Sequence, residues 1–179
     1  MANGGSKLVF VGGVGAGKSS AIRAISDTAP VCTDMPLSGG ANGQKSLTTV
    51  ALDYSSVDLE GELLHLYGVP GQKYMNFMWP MVCAGAIGIV VLVNACQDDA
   101  IESTIELLKD FGELAPDASF VVGVTKSELA PDFQFTTFRD RLDAEGYHLP
   151  VVRLDARVAS QVEFMLNILL AYHHAGMPL

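Results

Sequence analysis

The feature that most constrains this chain is Gly12-Gly13-Val14-Gly15-Ala16-Gly17-Lys18-Ser19, which fits G-x-x-x-x-G-K-[ST] between an apolar run, Lys7 to Val11, and a helical pattern from Lys18 to about Ser26. Glycines let a backbone turn its N–H groups inward around phosphate oxygens, and the N-terminus of the following helix adds partial positive charge. Lys18 is expected to reach the β- and γ-phosphates of a nucleotide, and Ser19 to ligate Mg²⁺ through its hydroxyl. The expected phosphate-binding residues are Gly13, Val14, Gly15, Ala16, Gly17, Lys18, Ser19 and Ser20. A glycine-rich turn without function is the competing reading, and the strand and helix patterns on either side disfavour it.

The rest of the chain suits such a loop. Apolar strand-like runs alternate with helix-length segments, the pattern of a mostly parallel sheet covered on both faces, and we read six strands and about five helices from it. The fold class is α/β, a P-loop NTPase three-layer sandwich, with residues 1–179 forming one domain. Val50, Leu52 and Tyr54 alternate as a strand, a turn falls around Glu60-Gly61, and Leu64 to Tyr67 completes a hairpin. Ile87 to Val93, Phe120 to Val124 and Val151 to Leu154 read as buried parallel strands. Ile101, Ile105, Leu108 and Phe111 recur at helical spacing, as do Val162, Leu166, Leu169 and Leu170. Between Asp27 and Ser46 the density of Gly, Pro, Ser, Asp and Asn predicts one long loop.

Composition excludes several functions. A formal charge of -9 with no Lys/Arg cluster disfavours a nucleic-acid partner. The longest apolar run, Ala84 to Val93, is strand-sized, residue 2 is Ala, and no prenylatable cysteine ends the chain, so neither a span nor a lipid anchor is signalled. With no signal-peptide pattern the expected compartment is the cytoplasm. Cys32, Cys83 and Cys96 are too scattered for a disulfide framework or a zinc site, and His65, His173 and His174 read as structural or solvated residues.

With the phosphate loop placed, the remaining segments resemble the Ras superfamily of small GTPases, and more closely its bacterial MglA-like and conservon-type members, over nearly the whole chain. Gly68-Val69-Pro70-Gly71-Gln72 is similar to switch II in the Pro-Gly-Gln form of that branch. The resemblance implies that the Gly71 amide senses the γ-phosphate and that Gln72 orients the attacking water. It also implies a switch I threonine on Mg²⁺; Thr49 is the first choice and Thr48 the fallback. Thr125-Lys126-Ser127-Glu128 resembles the Asn/Thr-Lys-x-Asp base-recognition motif, in which Lys126 lays its stem over the purine. A carboxylate at Glu128 accepts from guanine N1–H and the amino group, whereas adenine would leave it unpaired, so GTP is implied over ATP. Asp155-Ala156-Arg157 is similar to the loop whose backbone amide, here that of Ala156, contacts the guanine oxygen.

The chain departs from that pattern in four places. Gly68 stands where switch II has an aspartate for a Mg²⁺-bound water, and Asp53 on the preceding strand is the candidate replacement, against the plainer reading of a solvent-facing strand residue. Glu128 is one methylene longer than the usual aspartate. Val14 brings a branched side chain to the γ-phosphate side of the loop, which predicts slow hydrolysis. No arginine lies between Asp27 and Gln72, so an arginine finger is expected in trans, an effect worth about 10³ to 10⁵ in rate.

The resemblance implies a roadblock-domain regulator or another GTPase-activating partner, and effector contacts near Thr49 and from Gln72 to Trp79. Met75, Phe77, Met78 and Trp79 suit either a docking surface or core packing. The expected function is a slow GTP-hydrolysing switch; the alternatives are a non-hydrolysing nucleotide-binding module and an ATP-using protein.

Overall fold

In the computed structural model the described residues are 5–27, 31–36 and 49–179, with side chains at 32–36 and 49–51 left aside. Seven strands form one sheet in the order β2-β3-β4-β1-β5-β6-β7. They are β1 (Ser6–Gly12), β2 (Val31–Pro36), β3 (Thr49–Leu59), β4 (Glu62–Pro70), β5 (Ala86–Asn94), β6 (Ser119–Thr125) and β7 (Val151–Arg153). β1 pairs in parallel with β4 and β5, and β6 with β5 and β7, while β2–β3 and β3–β4 are antiparallel.

The six strands read from sequence are present, and the seventh, β2, lies inside the segment read as a single loop. Pairing with β3 in register from Val31↔Tyr54 to Pro36↔Thr49 supplies backbone partners that local composition cannot reveal. Pro36 is tolerated because β2 is an edge strand and ends there. The β3–β4 hairpin turns at Glu60-Gly61 with φ 54° and 89°, the left-handed pair of a type I′ turn, and the Gly61 amide donates to Asp58 Oδ1 at 2.9 Å.

Five α-helices cover the sheet: α1 (Lys18–Ile25), α2 (Trp79–Cys83), α3 (Ala100–Leu114), α4 (Phe135–Ala144) and α5 (Ala159–His174). Strand side chains alternate between the faces. Val9, Val11, Ile89, Val91, Phe120 and Val122 pack with α2, α3 and α4, and Leu8, Phe10, Val90, Leu92 and Val121 with α1 and α5. This two-sided burial is why the central strands read as unbroken apolar runs. Among the described residues, no helix is long and apolar enough to cross a membrane.

The run from Lys73 to Trp79 divides cleanly. Met78 and Trp79 are buried, with the Trp79 ring 4.7 Å from Phe111 and its Nε1 donating to the Pro70 carbonyl at 3.1 Å. Trp79 and Met78 are therefore core residues and drop out of the expected effector surface, because the indole finds both an apolar partner and an acceptor inside. Tyr74 and Phe77 face solvent, as does Met81 on α2.

Truncating Phe111 should destabilise the protein by about 3–5 kcal/mol, since the ring is fully buried against Trp79. Phe164→Ala, on the open side of α5, should stay within about 0.5 kcal/mol of wild type. Urea denaturation of the two variants separates these outcomes.

Candidate functional site

The loop Gly13–Gly17 leaves β1 and enters α1 at the carboxyl edge of the sheet, where strand order reverses on either side of β1. Such a reversal opens a crevice between diverging loops, the place where ligands bind in α/β sheets. The approach is tight: a Cβ on Gly12 would lie 2.3 Å from the Leu92 carbonyl oxygen. Gly17, the residue before α1, sits at φ 101°, a left-handed conformation that strains any other residue, and a Cβ there would lie 2.9 Å from that of Ala156.

Lys18 folds back over the loop. Its ammonium donates to the carbonyls of Gly12 at 2.8 Å and Gly13 at 3.0 Å. Burial pushes its pKa down, and the negative charge of Asp53 opposes that shift. Ser19, exposed beside it, donates its hydroxyl to Asp53 Oδ2. Ser20 follows, half-buried, on the first turn of α1. Val14 is 71% exposed at the outer rim and Gly15 is also exposed, while Ala16 is buried.

Asp53 is thus built into the site, bonded to Ser19 and felt by Lys18, rather than simply facing solvent. Its strand partner across the sheet is Gly68. A Cβ at Gly68 would come within 3.0 Å of Asp53 Cβ and 3.3 Å of its Oδ2. The bare glycine on β4 therefore leaves the space that the β3 carboxylate uses.

The switch-like segment meets the loop through backbone. The Gly71 amide donates to the Gly12 carbonyl at 3.2 Å, the same oxygen that holds Lys18. Gln72 is half-buried immediately after it, and its carbonyl accepts from the Met75 amide at 2.9 Å. Thr49 opens β3 opposite Pro36; its side chain and all of Thr48 lie outside the described residues, so the metal-binding threonine is not located.

Two more loops converge on the same edge. Thr125 is buried at the end of β6, and its hydroxyl proton lies between the carbonyls of Ala16, at 2.9 Å, and Val93, at 3.1 Å. That contact joins residues 109 apart in sequence. Lys126, at φ 58°, carries its Nζ to 3.7 Å from where a Cβ on Gly15 would sit. Glu128 is exposed on the 3₁₀ turn Ser127–Leu129. Ala156 is buried against Gly17, and its neighbours' amides are used within the loop: Asp155 N donates to Gln161 Oε1 at 2.7 Å and Arg157 N to Asp155 Oδ1 at 2.9 Å.

Sequence reasoning missed Gln97, whose side-chain amide sits 3.5 Å from where a Cβ on Gly13 would be. The signal was positional, since Gln97 follows β5 directly and the carboxyl ends of parallel strands frame such crevices. Gln97 also lines a cleft of about 460 Å³ with Asp98, Ile101, Leu129, Phe133 and Thr137, and no residue from Gly12 to Ser20 borders that cleft. Among the described residues there is no cluster of three His, Cys, Asp or Glu suited to a metal; the oxygen pair Ser19 and Asp53 has instead the composition of a Mg²⁺ site completed by phosphate oxygens.

The Arg157 guanidinium, bonded to the Asp155 carboxylate through Nε at 2.9 Å and Nη2 at 2.7 Å, pulls the Asp155 pKa down from 3.8 to about 2. A depressed folded-state value means that the pair's contribution to stability is complete above pH 3.8 and is lost as pH falls through about 2. Following the Asp155 carboxyl carbon by NMR should give a midpoint near 2 in wild type and one near 3.8 in Arg157→Gln.

Protein-family models give no match to this chain, and no curated protein matches it. What the crevice does must therefore be argued from its own atoms.

Proposed function

We propose that this protein is a guanine-nucleotide-binding switch, a small GTPase on a P-loop NTPase scaffold, that hydrolyses GTP slowly and is accelerated by a partner. The supporting observation is the joining of the G-x-x-x-x-G-K-S loop to both candidate base-reading loops, through Thr125 Oγ1 on Ala16 and Ala156 on Gly17. A phosphate cradle and a purine platform need that fixed spacing, because one ligand must satisfy both at once.

In this reading Lys18 exchanges the carbonyls of Gly12 and Gly13 for phosphate oxygens, a trade of like geometry for stronger charge. The Gly71 amide makes the parallel exchange from Gly12 to the γ-phosphate, which draws the following segment inward and brings Gln72 to the attacking water. Mg²⁺, when bound, would offset charge on the phosphate oxygens; Ser19 and Thr49 would hold it, with Asp53 anchoring a metal-bound water in place of a carboxylate at Gly68. Lys126 and Glu128 read the base, and the Ala156 amide meets the guanine oxygen. Tyr74 and Phe77, exposed next to Gln72, are the side chains of this segment left for an effector or a roadblock-type regulator.

The second reading is a non-hydrolysing nucleotide-binding module, and Val14, 71% exposed over the loop, favours it by crowding the space an attacking water needs.

Nucleotide-free protein titrated in Mg²⁺ buffer with fluorescent GDP and a GTP analogue should bind both, excess ATP should compete weakly, and Lys18→Ala should lose most of the affinity. Equal competition by ATP would overturn the guanine assignment. Asp53→Asn should raise the Mg²⁺ concentration needed for tight binding by about tenfold, the scale of a lost outer-sphere anchor; unchanged Mg²⁺ dependence would remove Asp53 from the site. Val14→Gly should speed single-turnover hydrolysis, whereas no turnover in either protein, even with a regulator, would select the binding module.

A further inference from the structure

We infer that Asp155 is a positioning residue for base selectivity: it holds the Arg157 guanidinium away from Glu128 and so leaves the Glu128 carboxylate to receive the donors of a guanine edge. The inference rests on the guanine-binding reading and adds to it a residue that does not itself touch the base.

Arg157 commits its planar fork to Asp155, with Nε on Oδ1 at 2.9 Å and Nη2 on Oδ2 at 2.7 Å. Asp155 Oδ1 also accepts from the Arg157 amide at 2.9 Å, so arginine and carboxylate are registered to each other by backbone as well as by side chain. Gln161 Oε1, from the first turn of α5, takes the Asp155 amide at 2.7 Å, and the Leu154 amide donates to Val124 at 3.0 Å. The loop is thereby anchored beside the end of β6, from which Thr125 to Glu128 emerges.

Glu128 is the second carboxylate whose charge reaches Arg157, after Asp155. It stands exposed on a single 3₁₀ turn, one methylene longer than an aspartate, and has the reach to turn toward a free cation. An unpaired guanidinium beside a carboxylate forms a bidentate pair, which would occupy the oxygens that guanine N1–H and its amino group require. With Asp155 in place that pair does not form, because the fork is already filled. Adenine presents no such donors to Glu128, so its binding is indifferent to where Arg157 points.

Calorimetric titration of the nucleotide-free protein with GDP and with ADP tests this in wild type, Asp155→Asn, Arg157→Ala and the double variant. Asparagine keeps an oxygen for the Arg157 amide while removing the charge that holds the guanidinium. Asp155→Asn should weaken GDP by about 10- to 100-fold, the scale of lost charge-assisted hydrogen bonds, and leave ADP unchanged. Arg157→Ala should bind GDP as wild type does, and Asp155→Asn/Arg157→Ala should regain most of the lost affinity, a rescue that a merely disordered loop would not show. A wild-type protein that prefers GDP, with the same preference in Asp155→Asn or with no rescue in the double variant, overturns the role of Asp155 alone. No preference for GDP in wild type overturns the guanine reading, and this inference with it.

Discussion

Much of this structure depends on how closely bare backbone can approach at the carboxyl end of β1. Gly12 lies where a single Cβ would strike the Leu92 carbonyl at 2.3 Å, and Gly17 where one would meet Ala156 at 2.9 Å. Gly71 has the Gly12 carbonyl 3.0 Å from its own missing Cβ. Because those side chains are absent, strands β4 and β5 flank β1 without strain, and loops from β4, β6 and β7 close over the phosphate-type loop. The crevice is therefore a consequence of packing; it is not an appendage to the sheet.

The same economy of side chains governs the charged groups. Gly68 and Asp53 occupy paired positions on neighbouring strands, and only one of them can project a carboxylate into the space beside Ser19. The carboxylate has been supplied from β3 in a chain whose β4 offers none. Lys18 is held by two carbonyls and partly buried, an arrangement that costs little because the loop oxygens satisfy its donors. Gly12 O is shared by Lys18 and the Gly71 amide, which ties the conformation of the segment after β4 to the state of the lysine.

Periodicity made most of the fold legible. Val9, Val11, Ile89 and Val91 belong to strands buried on both faces, and Ile101, Ile105 and Leu108 to a helix with one buried stripe, so each run carried its own signature. β2 did not, since its residues are held by ladder bonds to β3 and its composition is that of a loop. Trp79 and Phe77 show the same limit at the level of side chains. Two apolar residues in one short stretch have opposite fates, and the difference lies in Phe111 and the Pro70 carbonyl, both remote in sequence or invisible to it.

By itself the sequence determined the phosphate-type loop, because strand, glycines, lysine, serine and helix are contiguous and their chemistry is local. It also determined the α/β layering, since apolar alternation records which faces are buried. Tertiary structure alone decided that Asp53 bonds Ser19, that Thr125 bonds Ala16 across 109 residues, and that Gln97 lies against Gly13. Those contacts join strand ends that meet only when the sheet has assembled, and no spacing along the chain encodes which ends become neighbours.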